Sequence, residues 1–174
     1  MNRRFSRCMD IADFSYQLKN VLWSEEALSL IPDFGWNDGG CRSLMKAFMI
    51  WFGSDSLRTY QIVKEPDQFH SEHAFVRLGD WFLDGDGVSG LLEMKHRWLY
   101  EEGFSAVIIR EFDPETEPNH SNGEEPHYIH PALIRKLVQI LDKHFHHQEV
   151  YALLQSPLQP TIQIKKEPSH ETEF

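Results

Sequence analysis

Apolar residues recur along the chain at spacings that switch between three-to-four and two, and each switch marks an element. Ile11, Phe14, Leu18, Val21 and Leu22 share one face of a helix over residues 10–23. Ser24 followed by Glu25 and Glu26 starts a short second helix, which Pro32 limits. From Cys41 onward, Leu44, Met45, Ala47, Phe48, Met49, Ile50 and Trp51 are apolar around most of the helical circumference, the pattern of a buried central helix. Residues 59–65 read as a strand stopped by Pro66. Residues 72–78 and 80–84 alternate on either side of Gly79 and read as a hairpin.

Ser89 caps a further helix through Leu91, Leu92, Trp98 and Leu99, ended by Gly103, and residues 104–111 read as a buried strand. Residues 113–126 are acidic and rich in Pro, Asn and Gly, so a solvated loop is expected, its sharper reading being a lid or collar for a basic substrate. Pro131 opens the last helix, carried by Leu133, Ile134, Leu137, Ile140, Leu141 and Phe145. Pro157, Pro160 and Pro168 follow Tyr151 before a polar end. The expectation is one α+β domain over residues 1–150 and a loosely ordered tail over 151–174.

The chain of 174 residues is long enough to bury a core without disulfides, and 41% hydrophobic content suits a globular domain. A net charge of -10 argues against nucleic-acid binding, which needs clustered Lys and Arg; Arg3, Arg4 and Arg7 form the one basic cluster. No apolar run is long enough to span a bilayer, and Asp10 and Asp13 interrupt any signal-peptide pattern. With Cys8 and Cys41 the only cysteines, a cytoplasmic protein with free thiols is expected.

One of those thiols stands where chemistry is available. In Trp36-Asn37-Asp38-Gly39-Gly40-Cys41 the cysteine opens a helix, whose dipole and free N–H groups favour a thiolate. Gly39 and Gly40 let the backbone turn sharply and bring a substrate close, and the Cys41 N–H faces a developing oxyanion. Asn37 and Trp36 lie on the approach, with the Asn37 amide a candidate second oxyanion donor. His73 is the candidate base.

Strand parity supplies its orienter. A turn centred on Leu78-Gly79 puts His73 opposite Asp84, with Cβ atoms roughly 4.5–5.5 Å apart. A two-residue Gly79-Asp80 turn puts Asp86 there instead, so Asp86 is the reserve.

A cysteine opening a helix, a strand beginning with His and a hairpin return ending in Leu83-Asp84 resemble the papain-like superfamily. The order and the His73-x-x-Val76 texture are most similar to its transglutaminase-like and arylamine N-acetyltransferase branch. The shared stretch covers about residues 36–88. The resemblance implies a central cysteine-bearing helix packed on an antiparallel sheet, with Cys41, His73 and Asp84 as the triad. It implies acyl chemistry on a protein or peptide-like amide: a peptidase, deamidase or acyl transferase. A degenerate binding module on the same fold is the alternative. The same residues also look like small bacterial and phage proteins, among which an accessory protein acting on a host protein is a further setting.

Two departures stand out: His73 and Asp84 are closer in sequence than is usual in transglutaminases, and the papain-type glutamine before the cysteine is missing.

No metal or cofactor is expected. Asp84-Gly85-Asp86-Gly87 lacks the further oxygen ligands of a calcium loop. His144, His146 and His147 read more simply as a solvated helix end than as a zinc site, and His127 and His130 as loop residues entering the last helix. Oligomeric state is open.

Overall fold

The computed structural model describes residues 9–68, 71–116 and 130–156. Cys8, the arginines at 3, 4 and 7, His127, the acidic loop from residue 117 and the segment from 157 lie outside the described residues. The architecture is α+β: helices α1 (Ile11–Leu22), α2 (Glu25–Leu28) and α3 (Cys41–Phe52), then an antiparallel sheet with two helices after its last strand. The strands are β1 (Arg58–Val63), β2 (His73–Leu78), β3 (Trp81–Asp84), β4 (Gly87–Ser89) and β5 (Ile108–Glu111), in the spatial order β4-β3-β2-β1-β5. Between β4 and β5 run α4 (Leu91–His96) and a π-helical turn (Arg97–Glu101); α5 (Pro131–His144) and α6 (His147–Gln155) close the described chain.

The sheet is covered on both faces, which explains why β2 is buried at nearly every position. Ala74, Val76, Leu78 and Leu83 point into the main core with Phe14, Leu44, Phe48, Leu137 and Leu141. The alternate residues Phe75 and Phe82 point the other way, into a smaller core closed by Ile62, Met94 and Trp98. Helix α3 packs on β2, and α1 lies against β4, where Ser15 Oγ donates to the Val88 carbonyl at 3.0 Å and accepts from its N–H at 2.8 Å. That contact blunts the edge strand.

Three expectations need correction. Gly90, not Ser89, is the N-cap of α4, and Ser89 ends β4. Only Ile108–Glu111 of the expected strand 104–111 pairs, as a half-buried edge strand beside β1. Its front half turns back instead: Phe104 N–H donates to the Trp98 carbonyl at 3.0 Å, and the two rings meet edge-to-face at 5.0 Å. Nor does the ordered chain stop at residue 150. Helix α6 runs to Gln155 and buries Val150 and Leu154 completely, so their four-residue spacing seats the helix on the main core. Among the described residues no helix is long and apolar enough to cross a membrane, and no group of three His, Cys, Asp or Glu side chains is placed to hold a metal ion.

Candidate active site

Cys41 is the first residue of α3 because the loop before it closes on itself. Gly35 and Asp38 exchange backbone hydrogen bonds at 3.1 and 3.2 Å, and Gly40 N–H returns to the Gly35 carbonyl at 3.0 Å. Gly39 takes a φ of 87°, a region costly to any residue with a Cβ. A Cβ on Gly40 would stand 2.8 Å from the Gly35 carbonyl oxygen. The space at Gly40 is thus filled by the protein's own backbone and Trp36, not kept open for a substrate. The first helical hydrogen bond runs from Leu44 N–H to the Gly40 carbonyl at 3.0 Å, leaving the Cys41 N–H without an acceptor inside the helix.

His73 begins β2 and is fully buried, its ring between Phe75, stacked at 5.7 Å, and Trp98 at 4.7 Å. Pairing between β2 and β3 starts only at Val76↔Leu83, so the first residues of β2 have no β3 partner. Cys41 occupies that gap: the Ala74 N–H donates to its sulfur, where a strand carbonyl would otherwise sit.

His73 Nε2 donates to Asp84 Oδ2 at 3.1 Å, and both side chains are sealed from solvent. The other ring nitrogen, Nδ1, has no partner in hydrogen-bond geometry among the described residues, and the Cys41 thiol is close enough to act on the imidazole. Cys41 itself is half-buried.

The electrostatics follow from this arrangement. Burial alone would push the Cys41 thiol up, but the neighbouring His73, the Ala74 N–H and the Arg42 guanidinium together bring its pKa below the ordinary value. Burial would push His73 down, yet Asp84 and Cys41 raise it to about 9. Burial likewise opposes ionisation of Asp84, and His73, Arg97 and the Asp86 N–H overcome it. Each group's ionised form is favoured by the next, which is the pattern of a thiolate–imidazolium pair held on a carboxylate.

The hairpin turn is the two-residue Gly79-Asp80 form, since Leu78 faces Trp81. That register would put Asp86 opposite His73, yet Asp84 is the residue that reaches the imidazole. The ladder stops at Leu83, and the chain turns at once into β4 with Asp84 facing Gly87. Asp84 is then the diagonal neighbour of His73 on the same face, within reach of a long side chain. Asp86 is drawn elsewhere: its carboxylate meets Lys19 at 2.8 Å, the Asn37 amide at 2.6 Å and Arg97 at 3.4 Å.

Asn37 and Trp36 direct their polar groups at other partners than the sulfur. Asn37 accepts the Gly85 N–H at 3.0 Å through Oδ1 while Nδ2 donates to Asp86, so both ends of its amide clamp the β3–β4 turn. Trp36 is fully buried, its indole N–H donating to the Leu22 carbonyl at 2.6 Å. Both ends of the Asn37 amide and the Trp36 indole N–H are thus already engaged within the protein.

Three neighbours matter that the sequence pattern did not single out. Arg97 Nη2 donates to Asp84 Oδ2 from the π-helical turn. Arg42 is buried, donates to Ser71 Oγ at 3.0 Å and lies 4.9 Å from the centre of the Phe112 ring. Trp98 shields the imidazole. Arg97 and Trp98 were visible only as helix positions, and nothing local to them points back to Asp84 or His73.

His130 caps α5, with Nδ1 accepting the Ala132 N–H at 3.1 Å. The described start of the acidic loop places Glu115 3.3 Å from Lys46. The chain matches no protein-family model, no curated protein and no solved structure.

Proposed function

We propose that this chain is a cysteine-dependent acyl-chemistry enzyme of papain-like, transglutaminase-like build, acting on a protein or peptide-like amide. The observation that carries the reading is the buried His73–Asp84 pair beside a half-exposed cysteine at a helix start, with both pKa values moved toward the ion pair. Cys41 Sγ attacks the amide carbonyl carbon, and the new oxyanion faces the Cys41 N–H. His73 passes its proton to the leaving nitrogen as the C–N bond breaks, giving a thioester. Water or an amine, deprotonated by His73, then attacks the thioester and releases the thiolate, which regenerates the pair. Asp84 holds the imidazole in register throughout, and Arg97 holds Asp84.

The alternative is a degenerate binding module on the same build. The occupation of the Asn37 amide favours it, because that leaves a single assigned oxyanion donor.

Iodoacetamide alkylation of Cys41 in a Cys8→Ser background separates the two. The enzyme reading expects the rate to persist well below pH 7 and His73→Ala to move the profile up toward that of a free thiol near ~8.5. A parent profile that already tracks an ordinary thiol would sink it.

A further inference from the structure

The hairpin that carries His73 and Asp84 leaves the carboxylate without support from its partner strand. Pairing between β2 and β3 ends at Val76↔Leu83, while His73 stands at the head of β2. What orders the carboxylate is the turn that follows it. The Asp86 N–H donates to Asp84 Oδ1 at 2.9 Å, and Arg97 joins the two carboxylates, with Nη2 on Asp84 and Nη1 3.4 Å from Asp86. The aim of Asp84 at the imidazole therefore depends on where Gly85 and Asp86 are held.

Asn37 fastens that turn to the loop before Cys41. Its two bonds, to the Gly85 N–H and to Asp86 Oδ2, cross 48 and 49 residues, so they join parts of the chain that no local structure connects. The approach is close: a Cβ on Gly85 would stand 2.5 Å from Asn37 Oδ1 and 2.8 Å from Trp36 Cβ. Trp23 and Lys19 hold the same turn from the α1 side, the indole N–H donating to the Gly85 carbonyl at 2.7 Å and Lys19 Nζ standing 2.8 Å from Asp86. Asn37 is the tie that comes from the nucleophile's own loop, which the Gly40 N–H closes on the Gly35 carbonyl at 3.0 Å.

We propose that Asn37 is a positioning residue for the triad: by tying the Cys41 loop to the β3–β4 turn, it holds the Asp84 carboxylate on the His73 imidazole. Released from the clamp, Asp84 keeps Arg97 but loses its aim at the ring, and the imidazole loses the partner that favours its proton. The catalytic meaning of this role rests on the acyl-chemistry reading, whereas the coupling of Asn37 to the imidazole needs no thiol. Two hydrogen bonds that merely stabilised the loop would leave the imidazole titration where it is.

The test is a nuclear magnetic resonance titration of the His73 imidazole in the full chain carrying Cys41→Ser, its signal assigned by its loss in His73→Gln. Asp84 and Cys41 are the two titratable groups that act on the ring, so this background leaves Asp84, with Arg97 and the Asp86 N–H behind it. Asn37→Ala lowers the His73 midpoint by about one pH unit, toward the ordinary 6.5. Gly85→Ala, which forces the clamp open from the other side, lowers it as well, and decides alone if Asn37→Ala does not fold. Leu154→Ala, a truncation in α6 outside the clamp, leaves the midpoint in place although it weakens the fold, so a shift cannot be laid to lost stability. An unmoved midpoint in Asn37→Ala, or an equal fall in Leu154→Ala, overturns the proposal. Alkylation of Cys41 in the Cys8→Ser chain keeps the two readings apart. An ordinary thiol there sinks the enzyme while the imidazole shift still stands, and an acid-shifted thiol beside an unmoved imidazole sinks the role of Asn37 alone.

Discussion

His73 and Cys41 pull stability in opposite directions as pH rises. His73 is raised from 6.5 to about 9, so its contribution is complete below 6.5 and fades as pH climbs through about 9. Cys41 is lowered from 9.0, so its contribution is complete above 9.0 and fades as pH falls. Where both act the two slopes oppose each other, so the urea midpoint of the parent protein is expected to change less with pH than that of a variant lacking either group. In Cys41→Ser the Asp84 partnership still raises His73, so the midpoint should decline with rising pH, finishing below 9 because the thiolate no longer helps. A flat Cys41→Ser profile would remove the imidazolium from the picture. These residues were legible in sequence because position along an element determines them: a helix start for Cys41, strand parity for His73 and Asp84. Asn37 and Trp36 were legible only as neighbours of the cysteine. Which partner a polar side chain takes is a tertiary fact, and theirs are the β3–β4 turn and the end of α1.

Among the elements, the start of α3 is specified most tightly. Gly40→Ala sets a Cβ 2.8 Å from a backbone oxygen that cannot move without opening the loop, so a loss of about 1–3 kcal/mol is expected by urea denaturation. Gly90→Ala is the control: a Cβ there meets nothing within 4 Å and φ is -79°, so its midpoint should hold. Helices α1, α3 and α5 announce themselves through apolar stripes, and the hairpin through alternation about Gly79. The failures have physical causes too. The stretch from Phe104 is as apolar as a central strand, but its leading aromatic ring packs back on Trp98 instead of entering the ladder. Arg97 escaped notice because only the π-helical turn and the early end of the β2–β3 ladder bring it to Asp84.

At the scale of the whole molecule, the end of the described chain is part of the fold. Leu154 is completely buried, and a Cβ on Gly79 would come within 2.7 Å of its carbonyl oxygen, so α6 braces the hairpin turn. Leu154→Ala should cost about 2–5 kcal/mol in urea denaturation, where an exposed tail residue would cost almost nothing. Prolines beyond residue 156 hid this helix, since composition marks where regular structure must end more clearly than where it persists. The covered sheet also gives the candidate site a history in time. His73 and Asp84 are 11 residues apart and meet within one hairpin, a local contact of the kind that forms early. The sulfur reaches them only when α3 lies against the open edge of β2. Alkylation at mildly acid pH is therefore a clock for the docking of a single helix, one that starts only when the two halves of the molecule have met.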